Sequence, residues 1–183
     1  MDPKRGGPSG SWESWGDAQR IPPVDAPLRS GHAGLVRFSL QVQYAICGVF
    51  DLAYNGHGEP VQVRVISERQ GIPTRYLEQI FGRLRRGGIV ASKRGPGGGY
   101  TLARTAGRIN LREVIEAVEG PLDESLLMPE EGESAQHRPA FLWSELAGHL
   151  GAALDTIDFE QLCGQASRSE IPRVEAEAPM WVI

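Results

Sequence analysis

The sequence predicts a mainly α-helical fold with a small β-hairpin wing: a winged helix-turn-helix followed by a long C-terminal helix. Three observations predict it. Apolar residues recur at helical spacing in several separate stretches. Two of those stretches are joined by the short break Gly71-Ile72-Pro73, the helix-turn-helix arrangement. Directly after the second helix of that pair, two short β-prone runs flank a Gly/Pro turn.

The elements come in order along the chain. Residues 1–36 hold eleven Gly or Pro, and Trp12, Trp15, Ile21, Val24 and Leu28 keep neither helical nor strand period, so this stretch reads as a disordered or extended tail. From Ser39 the apolar residues Val42, Ala45, Ile46, Val49, Phe50 and Ala53 line one face of a helix that stops at Asn55-Gly56. A short helix from about Gln62 to Gln70 buries Val63 and Ile66. A third begins near Thr74, with Leu77, Ile80, Phe81 and Leu84 on its apolar stripe, and ends at Gly87-Gly88.

Ile89–Arg94 and Tyr100–Ala103 then form a hairpin around Gly95-Pro96-Gly97-Gly98-Gly99, and a hairpin directly after a recognition helix is a wing. Asn110 caps the next helix, with Glu113 as its capping-box partner and Leu111, Val114, Ile115 and Val118 on its apolar face. Residues 121–138 are an acidic, polar loop. A long helix runs from about Pro139 to Ile157 with Trp143, Leu146, Ala147, Leu150, Ala153, Leu154 and Ile157 in register. A last short helix holds Phe159, Leu162 and Cys163, and residues 165–183 read as a mobile tail. The domain division is therefore 1–36, 37–120, 121–138, 139–164 and 165–183.

The charge separates along the same boundaries. The 183 residues carry a net charge of −4, which read alone argues against a nucleic-acid binder. Residues 37–112, however, hold twelve Lys and Arg against four acids, and residues 113–183 hold three Arg against fifteen acids. That is +8 on the winged helix and −12 on the C-terminal part, a polyanion-binding middle beside an acidic remainder. Two cysteines exclude a disulfide-dense scaffold. No run approaches the roughly 18 apolar residues of a membrane span, and no signal peptide opens the chain, so a cytoplasmic location is expected.

A helix fits the major groove and reads base edges, while Lys and Arg neutralise phosphates. The third helix turns Thr74, Arg75, Tyr76, Glu78, Gln79 and Arg83 away from its apolar stripe. Arg75, Glu78 and Gln79 lie near its N-terminal end, the part that enters the groove. Arg and Gln pair bidentately with guanine and adenine, and Glu accepts from cytosine. Arg85 and Arg86 suit backbone phosphates. Lys93 and Arg94 precede a glycine-rich tip, including Gly97, that can enter the adjacent minor groove. The glycine run is not followed by the Lys-Ser or Lys-Thr of a nucleotide-binding loop. No nucleophile–base pair or metal motif points to an enzyme.

The runs "YAICGVFDLA", "VISERQGIPTRYLEQIFGRLRRGGIVASKRGPGGGYTLAR" and "INLREVIEAVEGP" resemble the winged-helix regulators typified by IscR, NsrR and CymR. The resemblance covers Val36 to about Gly120. It implies a homodimeric bacterial transcription regulator, a repressor, whose helix 139–157 crosses its partner and sets the spacing of two half-sites. It also maps Glu78, Gln79 and Arg94 onto DNA-contacting positions, while Arg75 stands where relatives commonly have a small polar residue. Many relatives hold an iron–sulfur cluster on three cysteines in the loop after the "EG" helix. In this chain residues 121–138 contain no cysteine, and Cys47 and Cys163 lie far apart in sequence, so no cofactor is expected.

Without a cluster, the chain is most similar to the CymR-type repressors of cysteine metabolism. The ending "EAPMWVI" resembles theirs, which implies that Met180, Trp181, Val182 and Ile183 dock into cysteine synthase. A free carboxylate and a small apolar side chain suit such a pocket. The alternatives are a thiol-based sensor using Cys47 or Cys163, and a cluster-sensing regulator of the same fold. Neither cysteine has the cationic surroundings that activate a thiol: Asp51 lies four residues after Cys47, and Cys163 sits in an acidic segment.

Overall fold

The computed structural model describes residues 38–123 and 140–174. The N-terminal tail, almost all of the acidic loop and the docking residues Met180–Ile183 lie outside the described residues.

Helix α1 spans Leu40–Asn55 and starts where the Ser39 hydroxyl accepts the Val42 N–H at 3.3 Å, an N-cap that satisfies one of the first turn's free donors. Val42, Ala45 and Val49 are fully buried, with Ile46, Phe50 and Ala53 flanking them, as the periodicity requires. This helix is central: the next three helices, the second strand of the wing and the last helix all pack against it. Helix α2 (Val63–Gln70) ends in Gly71 at φ +62°, a left-handed cap that a side chain would strain. Helix α3 (Thr74–Arg86) buries Leu77, Ile80, Phe81 and Leu84. Between α2 and α3 the Ser67 hydroxyl donates to the Ile72 carbonyl at 2.6 Å, so at 2.8 Å it is the Thr74 hydroxyl that donates to Ser67. This locks the turn of the helix-turn-helix.

Strands β1 (Val90–Lys93) and β2 (Gly99–Leu102) pair antiparallel, Val90 opposite Leu102 and Lys93 opposite Gly99. At the tip the Gly98 N–H donates to the Gly95 carbonyl at 2.8 Å with Gly97 at φ +71°. Pro96 followed by a positive-φ glycine is the residue order of a type II turn. Val61 adds a one-residue third strand, exchanging backbone hydrogen bonds of 2.9 and 2.8 Å with Tyr100. A lone valine between turns carries no period, so the sequence reading missed it.

After a 3-10 turn at Ala106–Arg108 comes α4 (Leu111–Glu119), with both bonds of the capping box present: Glu113 N–H to Asn110 Oδ1 at 2.9 Å and Asn110 N–H to Glu113 Oε2 at 3.1 Å. Helices α5 (Ala140–Asp155) and α6 (Phe159–Arg168) complete the order. A single core joins α1, α2, α3, the wing root, α4 and Phe159, with Phe81 meeting Tyr100 edge to face at 4.9 Å. Burying each such large side chain contributes about 1.5–3 kcal/mol.

Along the long helix, Ala147 and Leu154 of the apolar stripe are buried, whereas Leu146 is 45% exposed, as is Phe141 outside the stripe at 68%. Helix α4 packs against α5. Two boundaries are corrected. Ile157 lies beyond the helix and gives its carbonyl to Leu111 N–H at 3.0 Å. At the C-terminus, order extends past 165. Helix α6 runs to Arg168, the Tyr54 hydroxyl donates to the Ile171 carbonyl at 2.7 Å, and Val174 N–H donates to Asn55 Oδ1 at 3.0 Å. Arg173 lies over the Tyr54 ring at 4.8 Å. These anchors are polar and local to the end of α1, so no hydrophobic pattern announced them.

Candidate nucleic-acid interface

The exposed side of α3 and the wing make up the candidate interface. Arg75, Glu78, Gln79 and Arg86 are exposed on α3, and Lys93, Arg94 and Gly97 are exposed on the wing. No hydrogen bond or ion pair with the described residues occupies those side chains. Arg85 reaches Ser92 of the wing at a long 3.4 Å, still at the surface. Exposed guanidinium and ammonium groups without partners keep their donors for an incoming polyanion. The arrangement is a helix that fits a major groove beside a glycine-tipped hairpin that reaches the next backbone.

Three of the expected contacts are placed differently. Thr74 is half-buried, and its hydroxyl is committed to Ser67. Tyr76 is half-buried and lies close to Tyr44 of α1, whose phenol is pushed above its ordinary pKa by burial and then by Tyr76. Arg83 is turned inward: its Nη1 donates to the Val118 carbonyl at 2.7 Å and to Gln41 Oε1 at 2.9 Å. Position on the helical wheel puts all three off the apolar stripe, but the stripe says nothing about the polar partners that Thr74 and Arg83 find on neighbouring helices.

The +8 of the winged helix thus divides. Arg69, Arg83, Arg104 and Arg112 find acceptors within the chain. The sequence reading also missed the polar node that holds α2 in place. Asp51, fully buried on α1, accepts Asn55 Nδ2 at 3.0 Å, Gln70 Nε2 at 3.0 Å and Arg69 Nη1 at 3.2 Å. Arg69 is 6% exposed, and its Nη2 has no hydrogen-bond partner among the described residues. The signal was one acid placed among the buried positions of an apolar helix, read only as a neighbour of Cys47.

A helix-turn-helix with a wing and a row of exposed cations on both defines a winged-helix DNA-binding protein. The family model described as "Iron-dependent Transcriptional regulator", Rrf2, matches residues 38–165. The chain is 42% identical over 129 residues to the HTH-type transcriptional regulator IscR of Xenorhabdus nematophila, spanning 69% of this chain and 79% of that one. Its structure is similar to that of CymR, the global cysteine regulator of B. subtilis, with a TM-score of 0.59 and 27% identity over 72% of this chain and 98% of the other. The structure of T. potens IscR matches with a TM-score of 0.59 and 29% identity, over 75% and 93% of the two chains. The chain belongs to the Rrf2 family of transcriptional regulators, a family of DNA-binding proteins and not of enzymes. Among the described residues no helix is long and apolar enough to cross a membrane.

The iron–sulfur cluster implied for the family does not fit these residues. Protein-held clusters need several thiolates, and the chain has two cysteines, neither in residues 121–138. Cys47 opens onto an apolar groove with Ile46, Phe50, Leu162 and Ala166. Cys47 is itself exposed, and the partial desolvation by the groove pushes its thiol above the ordinary pKa. Cys163 is pushed the same way by burial, partly offset by Arg173. A raised pKa disfavours the thiolate that a metal or an oxidant requires. Among the described residues no trio of His, Cys, Asp and Glu is grouped to hold a metal ion.

Proposed function

We propose that this protein is a sequence-specific DNA-binding repressor that acts as a homodimer without an iron–sulfur cluster. The observation that carries DNA reading is the set of exposed groups Arg75, Glu78, Gln79, Arg86, Lys93 and Arg94 on one helix and its wing, which have no partner among the described residues. In this reading Arg75, Glu78 and Gln79 face base edges, and Arg86, Lys93 and Arg94 face phosphates or the minor groove. The exposed apolar side chains Phe141, Leu142 and Leu146 on α5 supply the surface for the second copy. A two-fold pair of heads reads two half-sites on one face of the duplex.

The experiment is a binding titration on a duplex selected by the wild-type chain from a random pool. Arg75→Ala should cost about 1–3 kcal/mol there and relax the base preference at one position. Arg86→Ala should weaken all duplexes alike and flatten the salt dependence by roughly one unit of slope. If neither substitution alters binding, α3 is not the reading helix.

Genes of cysteine or sulfur metabolism are the proposed targets, by likeness to the cysteine regulator CymR. Cysteine synthase enters this reading as a corepressor through Met180–Ile183, residues outside those described. Deleting Ile183 should abolish capture of cysteine synthase and leave duplex binding intact, and equal capture by both forms refutes the docking. The likeness to IscR favours a second reading, a cluster-sensing regulator. A brown sample from anaerobic purification would establish that reading, and a colourless one the cluster-free reading.

A further inference from the structure

Arg83 stands on the reading helix among cations that face solvent, yet it behaves differently from them. Its Nη1 bridges two acceptors on two other elements, the Val118 carbonyl of α4 at 2.7 Å and Gln41 Oε1 of α1 at 2.9 Å. Val118 lies in the last turn of α4, where carbonyls have no partner within their own helix and the dipole end is negative, so a cation is favoured there. Around this bridge α3 packs on α4, and Leu84, Val114 and Val118 belong to the common apolar core. Apolar packing is non-directional, and it sets the angle of a helix less sharply than a hydrogen bond does. A bridged guanidinium is directional.

We propose that Arg83 is a positioning residue for operator recognition: it fixes the angle and depth at which α3 presents Arg75, Glu78 and Gln79, and makes no phosphate contact itself. That role presupposes the DNA-reading function of α3. The alternative, a phosphate contact, is suggested by its place on the helical wheel and has a different signature. A phosphate contact releases a counterion, adding roughly 0.9 to the slope of log affinity against log salt and acting on every sequence alike. A positioning residue moves only the sequence-dependent part.

The test uses the full chain, with the wild-type-selected duplex and an unrelated duplex of equal length, each titrated over a salt series. Arg83→Met should weaken the selected duplex about tenfold, the scale of one charge-assisted hydrogen bond. The unrelated duplex should be nearly unaffected and the salt slope unchanged on both. Arg83→Lys, whose ammonium can still donate to Val118, should recover most of the loss. A slope lower by roughly 0.9 with equal losses on both duplexes overturns the proposal in favour of a phosphate contact. No loss on the selected duplex overturns it as well. If Arg83→Met does not fold, Gln41→Ala removes one acceptor and leaves every cation in place: weaker binding of the selected duplex at unchanged slope supports the proposal, and unchanged affinity overturns it. Loss of selection for any duplex by the wild type would instead defeat the DNA-reading assignment on which this rests.

Discussion

The outer face of α3 and the wing and the inner junction of α1, α2 and α4 are both rich in arginine, and they use it oppositely. Outside, Arg75, Arg86 and Arg94 are exposed and unpaired with any described residue. Inside, Arg69 is buried against Asp51 at 3.2 Å, and Arg83 bridges α1 and α4. The first group has no partner among the described residues and faces solvent, where a polyanion can reach it. The second is consumed in orienting the helices that carry the first. A net charge of +8 therefore overstates the DNA-facing charge, because part of it is structural.

The contrast is tested most severely by Asp51→Ala. It leaves Arg69 buried beside no carboxylate and strips Asn55 and Gln70 of their shared acceptor. Removing one partner of a buried pair costs about 3–5 kcal/mol, read by chemical denaturation; a loss of under about 1 kcal/mol would show the node to be dispensable. Next in size is Gly48→Ala. Its new Cβ would stand 2.7 Å from Phe81 Cε2, forcing α3 away from α1. Overpacking of this kind costs about 1–3 kcal/mol, and selected-duplex affinity should fall with it, whereas unchanged melting would mean that Phe81 gives way freely.

Lys93→Ala should sit at the opposite pole. Stability stays within about 0.5 kcal/mol of wild type, as for exposed sites generally, while the salt slope falls by roughly 0.9. A drop in melting temperature with an unchanged slope would move Lys93 into the structural group. The smallest effect concerns Cys47. Cys47 is exposed, but partial desolvation raises its pKa and leaves less of it as thiolate at neutral pH, so alkylation followed by mass spectrometry should run slower than for free cysteine and accelerate as pH rises. Labelling faster than free cysteine at neutral pH would revive a thiol sensor.

Much of the fold was legible in the residues. Val42, Ala45 and Val49, or Leu77, Ile80, Phe81 and Leu84, repeat at the spacing of a helix face, and Ser39, Gly71 and Asn110 mark ends by their own chemistry. That a charge off the apolar stripe of a surface helix meets water by default was legible too, but which of those charges follow the default was not. Thr74 and Arg83 defeated that default because the deciding group, respectively the Ser67 hydroxyl and the Val118 carbonyl, sits on another element.

The order of helices and hairpin, the helix-turn-helix break at Gly71-Ile72-Pro73, the caps and the lack of a three-cysteine loop were all set along the chain. Each depends on residues near one another in sequence, where periodicity and backbone preference act. Four features emerged only once the helices were packed: which arginines face outward, the burial of Asp51 under three donors, the joining of Val61 to the wing, and the hold of Tyr54 and Asn55 on residues 171–174. A charged or polar side chain takes its role from the nearest acceptor or donor in space, and for these residues that group lies across a helix packing rather than along the chain.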